Sequence, residues 1–215
     1  MKYYDKAAIL NVFNVLNHSG LPYLLLRNTN DELPFNLEYG KDIDILAQHS
    51  NSIKTNNLLI KNSFQRVKHP LRSDVRLYGV HQFNMYKSKY SVLLDINYEI
   101  VVRSLDKGQW IPLDQALQIS AWENKKFVDI GGVNVPTLSD EDLWVCTLAR
   151  CIFDKKLFSP WHQELLINML PNINSELVKS KLNLIFFKFT DCLFEMVCRS
   201  QFDQIYDKYI SFKSY

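Results

Sequence analysis

Gly40-Lys41-Asp42-Ile43-Asp44-Ile45-Leu46 alternates acidic and aliphatic side chains with a period of two. Successive side chains of a strand point to opposite faces, so Asp42 and Asp44 share one side and Ile43 and Ile45 the other. Two carboxylates about 4 Å apart at an effective dielectric near 20 repel by on the order of 4 kcal/mol. A pair held beside an apolar core therefore calls for a cation. Magnesium suits the role, with manganese as the alternative, because a hard divalent ion takes carboxylate oxygens together with substrate phosphates.

A third acid lies further along the chain. In Ser91-Val92-Leu93-Leu94-Asp95-Ile96-Asn97, Val92, Leu94 and Ile96 alternate with Leu93, Asp95 and Asn97. An Asp inside such an apolar strand wants a partner. If this strand lies beside the one carrying Asp42 and Asp44, the three carboxylates meet. Three carboxylates can hold two ions about 3.5–4 Å apart and clamp the oxygens of a phosphoryl displacement. The competing reading makes Asp42 and Asp44 solvated edge-strand residues and Asp95 the ion-pair partner of a base such as Arg76, and it must explain three acids separately.

Around these strands the pattern is mixed. Ile9, Val12, Phe13 and Leu16 repeat at helical spacing after Asp5, a capping residue, and before Ser19-Gly20, a stop signal. The continuous apolar run Tyr23–Leu26 predicts a strand covered on both faces, and a polar loop through Asn30, Asp31 and Pro34 follows it. A helix over 51–61 and strands at 64–67, 75–80 and 82–86 come next, and Lys126–Val135 predicts a hairpin turning at Gly131-Gly132. From Ser139, followed by three acids that favour a helix start, helical patterns dominate. They cover about 140–153, about 160–170 and one long helix from about 175. The stripe of Trp144, Leu148, Cys151 and Ile152 is expected to pack against the front domain. The predicted class is α+β, a mixed sheet flanked by helices over 1–136 and a helical region over 137–215.

Composition bounds the function. Of 215 residues, 47% are hydrophobic and 22% charged, enough apolar material for a real core. A net charge of +2, with basic residues scattered, gives no nucleic-acid signal. No signal peptide and no transmembrane segment is visible, and Leu182–Val197 is broken by Lys188, Asp191 and Glu195. Cys146, Cys151, Cys192 and Cys198 lack metal or disulfide spacing and read as buried free thiols of a cytoplasmic chain. His18, His49, His69, His81 and His162 show no ligand spacing, and Arg72 and Arg76 read as solvated or salt-bridged strand residues.

The order Tyr23–Leu26, loop, Asp42-x-Asp44 and a later strand with Asp95 resembles the nucleotidyltransferase superfamily. More narrowly, Leu25-Leu26-Arg27-Asn28, Leu33-Pro34 and Gly40–Leu46 resemble nucleotidyltransferase-like proteins of bacterial surface-polysaccharide synthesis. The resemblance covers about residues 20–100. It implies a metal held by Asp42, Asp44 and Asp95, which are also the catalytic residues, and a nucleotide or nucleotide-activated donor. Asp95 would bind a second ion or accept the proton of the attacking hydroxyl. Arg27, Asn28 and Lys41 are the candidate donor-binding residues, and the implied acceptor is a sugar or glycan hydroxyl. Many members carry Gly-Ser after the first strand, where this chain has Arg27-Asn28. Arg27 then offers phosphate a charged fork, or triphosphate binding is lost. Two other functions stay open: transfer of phosphocholine or another phospho-alcohol, and a catalytically silent adaptor for a partner glycosyltransferase.

Overall fold

The computed structural model describes residues 2–28, 32–68, 84–103 and 109–210, with side chains described to residue 208. In chain order the elements are α1 (Lys6–His18), β1 (Tyr23–Leu25), β2 (Asp42–Ala47), α2 (Ser52–Lys61), β3 (Gln65–Arg66), β4 (Met85–Lys87), β5 (Leu93–Asn97), β6 (Val101–Arg103) and β7 (Trp110–Pro112). They continue with α3 (Gln115–Glu123), β8 (Lys126–Ile130), β9 (Val133–Thr137), α4 (Asp140–Arg150), α5 (Pro160–Met169), α6 (Ser175–Phe186), α7 (Thr190–Cys198) and α8 (Phe202–Ile205). The chain is α+β, with a mixed sheet, flanking helices and a helical carboxy-terminal region. The expected strand at 75–80 lies outside the described residues, as do Asn30, Asp31, His69, Arg72, Arg76 and His81.

Two compact units divide the chain: Met1–Ile100 with Lys125–Leu138, and Val101–Asn124 with Ser139–Tyr215. In the first, the described strands form one sheet in the order β3-β4-β5-β2-β1-β9-β8. Strand β2 pairs antiparallel with β1 and parallel with β5. Its Ile43 and Ile45 join Leu94 and Ile96 of β5, the α1 stripe Ile9, Val12, Phe13 and Leu16, and Leu59 of α2 in one buried cluster. Fully burying each such aliphatic or aromatic side chain is worth about 1.5–3 kcal/mol, and that gain fixes the register. A slip of one residue would put the aspartates into this cluster.

Local signals set the ends. The Asp5 carboxylate accepts from the amides of Ala7 (2.7 Å) and Ala8 (3.4 Å), satisfying two donors at the start of α1. The β8–β9 hairpin turns through Gly131 and Gly132, both at positive φ. Strand β9 meets β1 at the single pair Leu25↔Thr137, and the Thr137 hydroxyl donates to the Leu25 carbonyl at 2.7 Å.

In the second unit β6 and β7 pair as a short antiparallel ladder, ahead of α3. Ser139 caps α4, its hydroxyl accepting from the Asp142 amide, and Ser159 followed by Pro160 opens α5. Helix α4 runs into a π-helical turn at Cys151–Lys155. Trp144 is fully buried, donates to the Leu166 carbonyl at 2.9 Å and lies against the Phe194 ring, so this residue of the predicted stripe has its recorded partners inside the helical unit. The single long helix expected from residue 175 is two helices, because Phe187 takes positive φ (49°) between α6 and α7. Cys151 is buried and its thiol is pushed up to about 12 by desolvation, whereas Cys192 and Cys198 are exposed, not buried as expected. Among the described residues no helix is long and apolar enough to cross a membrane.

Candidate functional site

Asp42 and Asp44 project from one face of β2, and Asp95 lies on β5 directly opposite Asp44 in the parallel register. One carboxylate oxygen from each of the three lies within 4.8 Å of the others. Asp44 is buried, at 7% exposure, and Asp42 and Asp95 are half-buried. The convergence follows from strand geometry. Alternation sends the aliphatic neighbours into the core, so the acids share the other face, and parallel pairing aligns Asp95 with Asp44.

Three carboxylates this close concentrate negative charge where water is scarce. Arg27 supplies part of the compensation: its Nη1 donates to Asp44 Oδ1 at 2.9 Å. The backbone delivers the guanidinium, since the amide of Leu26, one residue earlier, bonds the Asp44 carbonyl at 3.0 Å. Asn28, at positive φ (65°), turns its amide along β2. Its Nδ2 donates to Glu32 Oε2 at 3.0 Å and to the Asp42 carbonyl at 3.4 Å, while its Oδ1 accepts from the Asp44 amide at 3.4 Å. The side chain thus continues the pairing of β2 past the end of β1 and braces the segment that carries both acids.

Lys41 faces other partners. Its ammonium donates to Glu32 at 3.1 Å and lies 3.9 Å from Glu38, and the hydrogen bond it gives Glu32 raises its pKa. The structure therefore brings Asp42, Asp44, Asp95, Arg27 and Asn28 together, and ties Lys41 to the loop before β2. That loop is also pinned by the amino-terminal segment. The Tyr4 amide bonds the Leu37 carbonyl at 3.0 Å, and the Tyr4 hydroxyl accepts from the Gly40 amide at 3.1 Å. Sequence reasoning missed Tyr4 and Glu32. An acid nine residues before Lys41 was the available hint for Glu32; nothing local marks Tyr4.

As a donor set, three clustered carboxylate oxygens match a hard divalent ion, and the oxygens lie close enough to share one. The described histidines take no part among the recorded contacts: His18 bonds the Asn14 carbonyl, His49 lies edge-on to Tyr98, and His162 pairs with Ser159.

Solved structures resemble the chain. The antibiotic-resistance factor ANT(2'')-Ia, in its solution structure, aligns with a TM-score of 0.51 and 11% identity, covering 87% of this chain and 94% of that one. The same factor in complex with adenylyl-2''-tobramycin aligns at 0.51 and 10%, over 88% and 96%. The lincosamide antibiotic adenylyltransferase LnuA, lincomycin-bound, aligns at 0.46 and 12%, over 79% and 98%. No protein-family model and no curated protein sequence matches. Strand order, the shared face of the three acids and the ANT(2'')-Ia superpositions agree that the chain has the nucleotidyltransferase fold.

Proposed function

We propose that the protein is a metal-dependent transferase that moves a nucleotidyl group from a nucleotide donor to a hydroxyl acceptor. The observation that carries the proposal is the meeting of Asp42, Asp44 and Asp95 on adjacent parallel strands of this fold, with their oxygens within 4.8 Å. Asp42 and Asp44 would hold a magnesium or manganese ion, and when bound that ion neutralises donor phosphate charge. Asp95 either joins them as a ligand or takes the proton of the acceptor hydroxyl as its oxygen attacks phosphorus. In that displacement the new bond joins acceptor oxygen to the α-phosphorus, and the bond from that phosphorus to the β-phosphate oxygen breaks. The phosphate group leaves with the electron pair. Arg27 and Asn28 stand at the end of β1, where a donor's phosphates would lie, and Lys41 lies on the flanking loop.

An adenylyl group is the first donor to test, because the neighbour ANT(2'')-Ia was solved with adenylyl-2''-tobramycin. A sugar or glycan hydroxyl, in surface-polysaccharide synthesis in the cytoplasm, is the acceptor setting drawn from the sequence resemblance. The phospho-alcohol and adaptor readings gain no specific support from the geometry.

A thermal-shift screen of nucleotides and nucleotide sugars, with and without magnesium, tests the proposal, since a ligand of the folded state stabilises it by mass action. A magnesium-dependent shift with a nucleotide is expected. Asp44→Asn should abolish that shift and lower turnover by at least about 100-fold, on the scale of a lost charge-stabilising group, while far-ultraviolet circular dichroism stays unchanged. Full turnover in Asp44→Asn would reject the assignment.

A further inference from the structure

We propose that Arg27 is the resident counter-cation of the acidic site and that it exchanges with the divalent ion. The inference rests on the metal reading above and adds a regulatory consequence to it. Asp44 is the most buried of the three acids, and its Oδ1 is engaged at 2.9 Å by Arg27 Nη1. Lys41, the other basic residue flanking the trio in sequence, is held by Glu32 and Glu38. A divalent ion bound to Asp42, Asp44 and Asp95 would sit within a few ångström of the guanidinium, and like charges at that separation repel strongly in partly buried surroundings. The Arg27 side chain is 30% exposed, so it has a path away from Asp44.

Two consequences follow. Metal alone binds weakly, because it must displace a bonded guanidinium. Once displaced, that guanidinium is a free planar fork at the end of β1, the geometry that suits a phosphate. Metal and donor phosphates then bind with positive coupling, each favouring the state with Arg27 released. The Arg27-Asn28 pair, where relatives of the resemblance carry Gly-Ser, would in this way link phosphate recognition to ion loading.

The test is titration of manganese alone into the full chain, with free ion counted by electron paramagnetic resonance. It compares wild type, Arg27→Met, Arg27→Gln and Asp44→Asn. Removing the competing charge should tighten manganese binding by about tenfold or more in Arg27→Met. The manganese-induced rise in Tm should also be larger in Arg27→Met than in wild type, because the ion then takes over the charge on Asp44 that Arg27 had offset. If Arg27→Met does not fold, Arg27→Gln answers the same question by the same readout. Equal or weaker manganese binding in the Arg27 variants, with Asp44→Asn still losing it, overturns the exchange and leaves the metal site standing. No manganese binding in wild type or either Arg27 variant overturns both.

Discussion

Lys181→Met should destabilise the protein by about 3 kcal/mol. The Lys181 ammonium lies 2.6 Å from Asp142 Oδ1, and the two side chains are 7% and 3% exposed. Asp142 also accepts from the hydroxyls of Ser120 at 3.0 Å and Ser139 at 2.8 Å. The cluster ties α3, the first turn of α4 and α6 together. Removing one partner of a buried pair typically costs about 3–5 kcal/mol, because the other charge stays buried and uncompensated. The two hydroxyls still serve the carboxylate, which places this case at the lower end. For a chain of this size the loss corresponds to a fall in Tm of about 6–12 °C. Urea unfolding at pH 7 measures it directly. Adding Asp142→Asn removes the stranded charge, so the double variant should recover about 1 kcal/mol of the loss. A loss below about 1 kcal/mol in Lys181→Met, or a double variant less stable than the single one, would refute the claim that this pair is buried and mutually compensating.

Burial, with Arg150 and Lys155 adding like charge, pushes His162 down from 6.5 to about 4. Between those pH values the unfolded chain binds a proton that the folded chain resists, so stability falls as pH drops through that window and is unaffected by this residue above it. With the ring half-buried rather than enclosed, the effect should be about 1–2 kcal/mol after solvent screening. Urea midpoints of wild type and His162→Gln at pH 7 and pH 4.5 check it, and a pH-independent difference between the two proteins would remove the assignment. Gly131→Ala should cost about 2 kcal/mol and Gly132→Ala about 1, both from positive φ, the first with added crowding. A Cβ at Gly131 would meet the Pro34 ring at 2.9 Å, whereas nothing lies within 4 Å of one at Gly132. The same urea assay ranks them, and equal losses would remove the crowding argument.

Where one residue type in one spacing has a single physical solution, the sequence was readable. Period-two acids beside isoleucines force a two-faced strand, and burying Ile43, Ile45, Leu94 and Ile96 puts Asp44 and Asp95 on the same opposite face, while their direct pairing is seen only in the structure. Asp5 and Ser139 announced their helices for the same reason: a short side-chain oxygen meets amides that lack partners. Other features depend on contacts distant in sequence. Strands β6 and β7 are three residues each, too short to show a period, and α3 is held through Ser120, whose partner Asp142 lies on α4. The break at Phe187 carries no glycine or proline to signal it. The ion pairs of Arg27 and Lys41 cross a loop whose path periodicity does not encode, so their partners Asp44 and Glu32 became visible only in three dimensions.

The chain leaves the sheet-bearing unit after residue 100, re-enters it at 125 and departs again at 139. Dissecting the protein with one scissile point is therefore self-defeating. A fragment ending at 138 would keep Ser120 and the Arg103 amide but discard Asp142 and Asp154, the carboxylates that hold them. A faithful isolate of the sheet must excise 101–124 and splice residue 100 to 125.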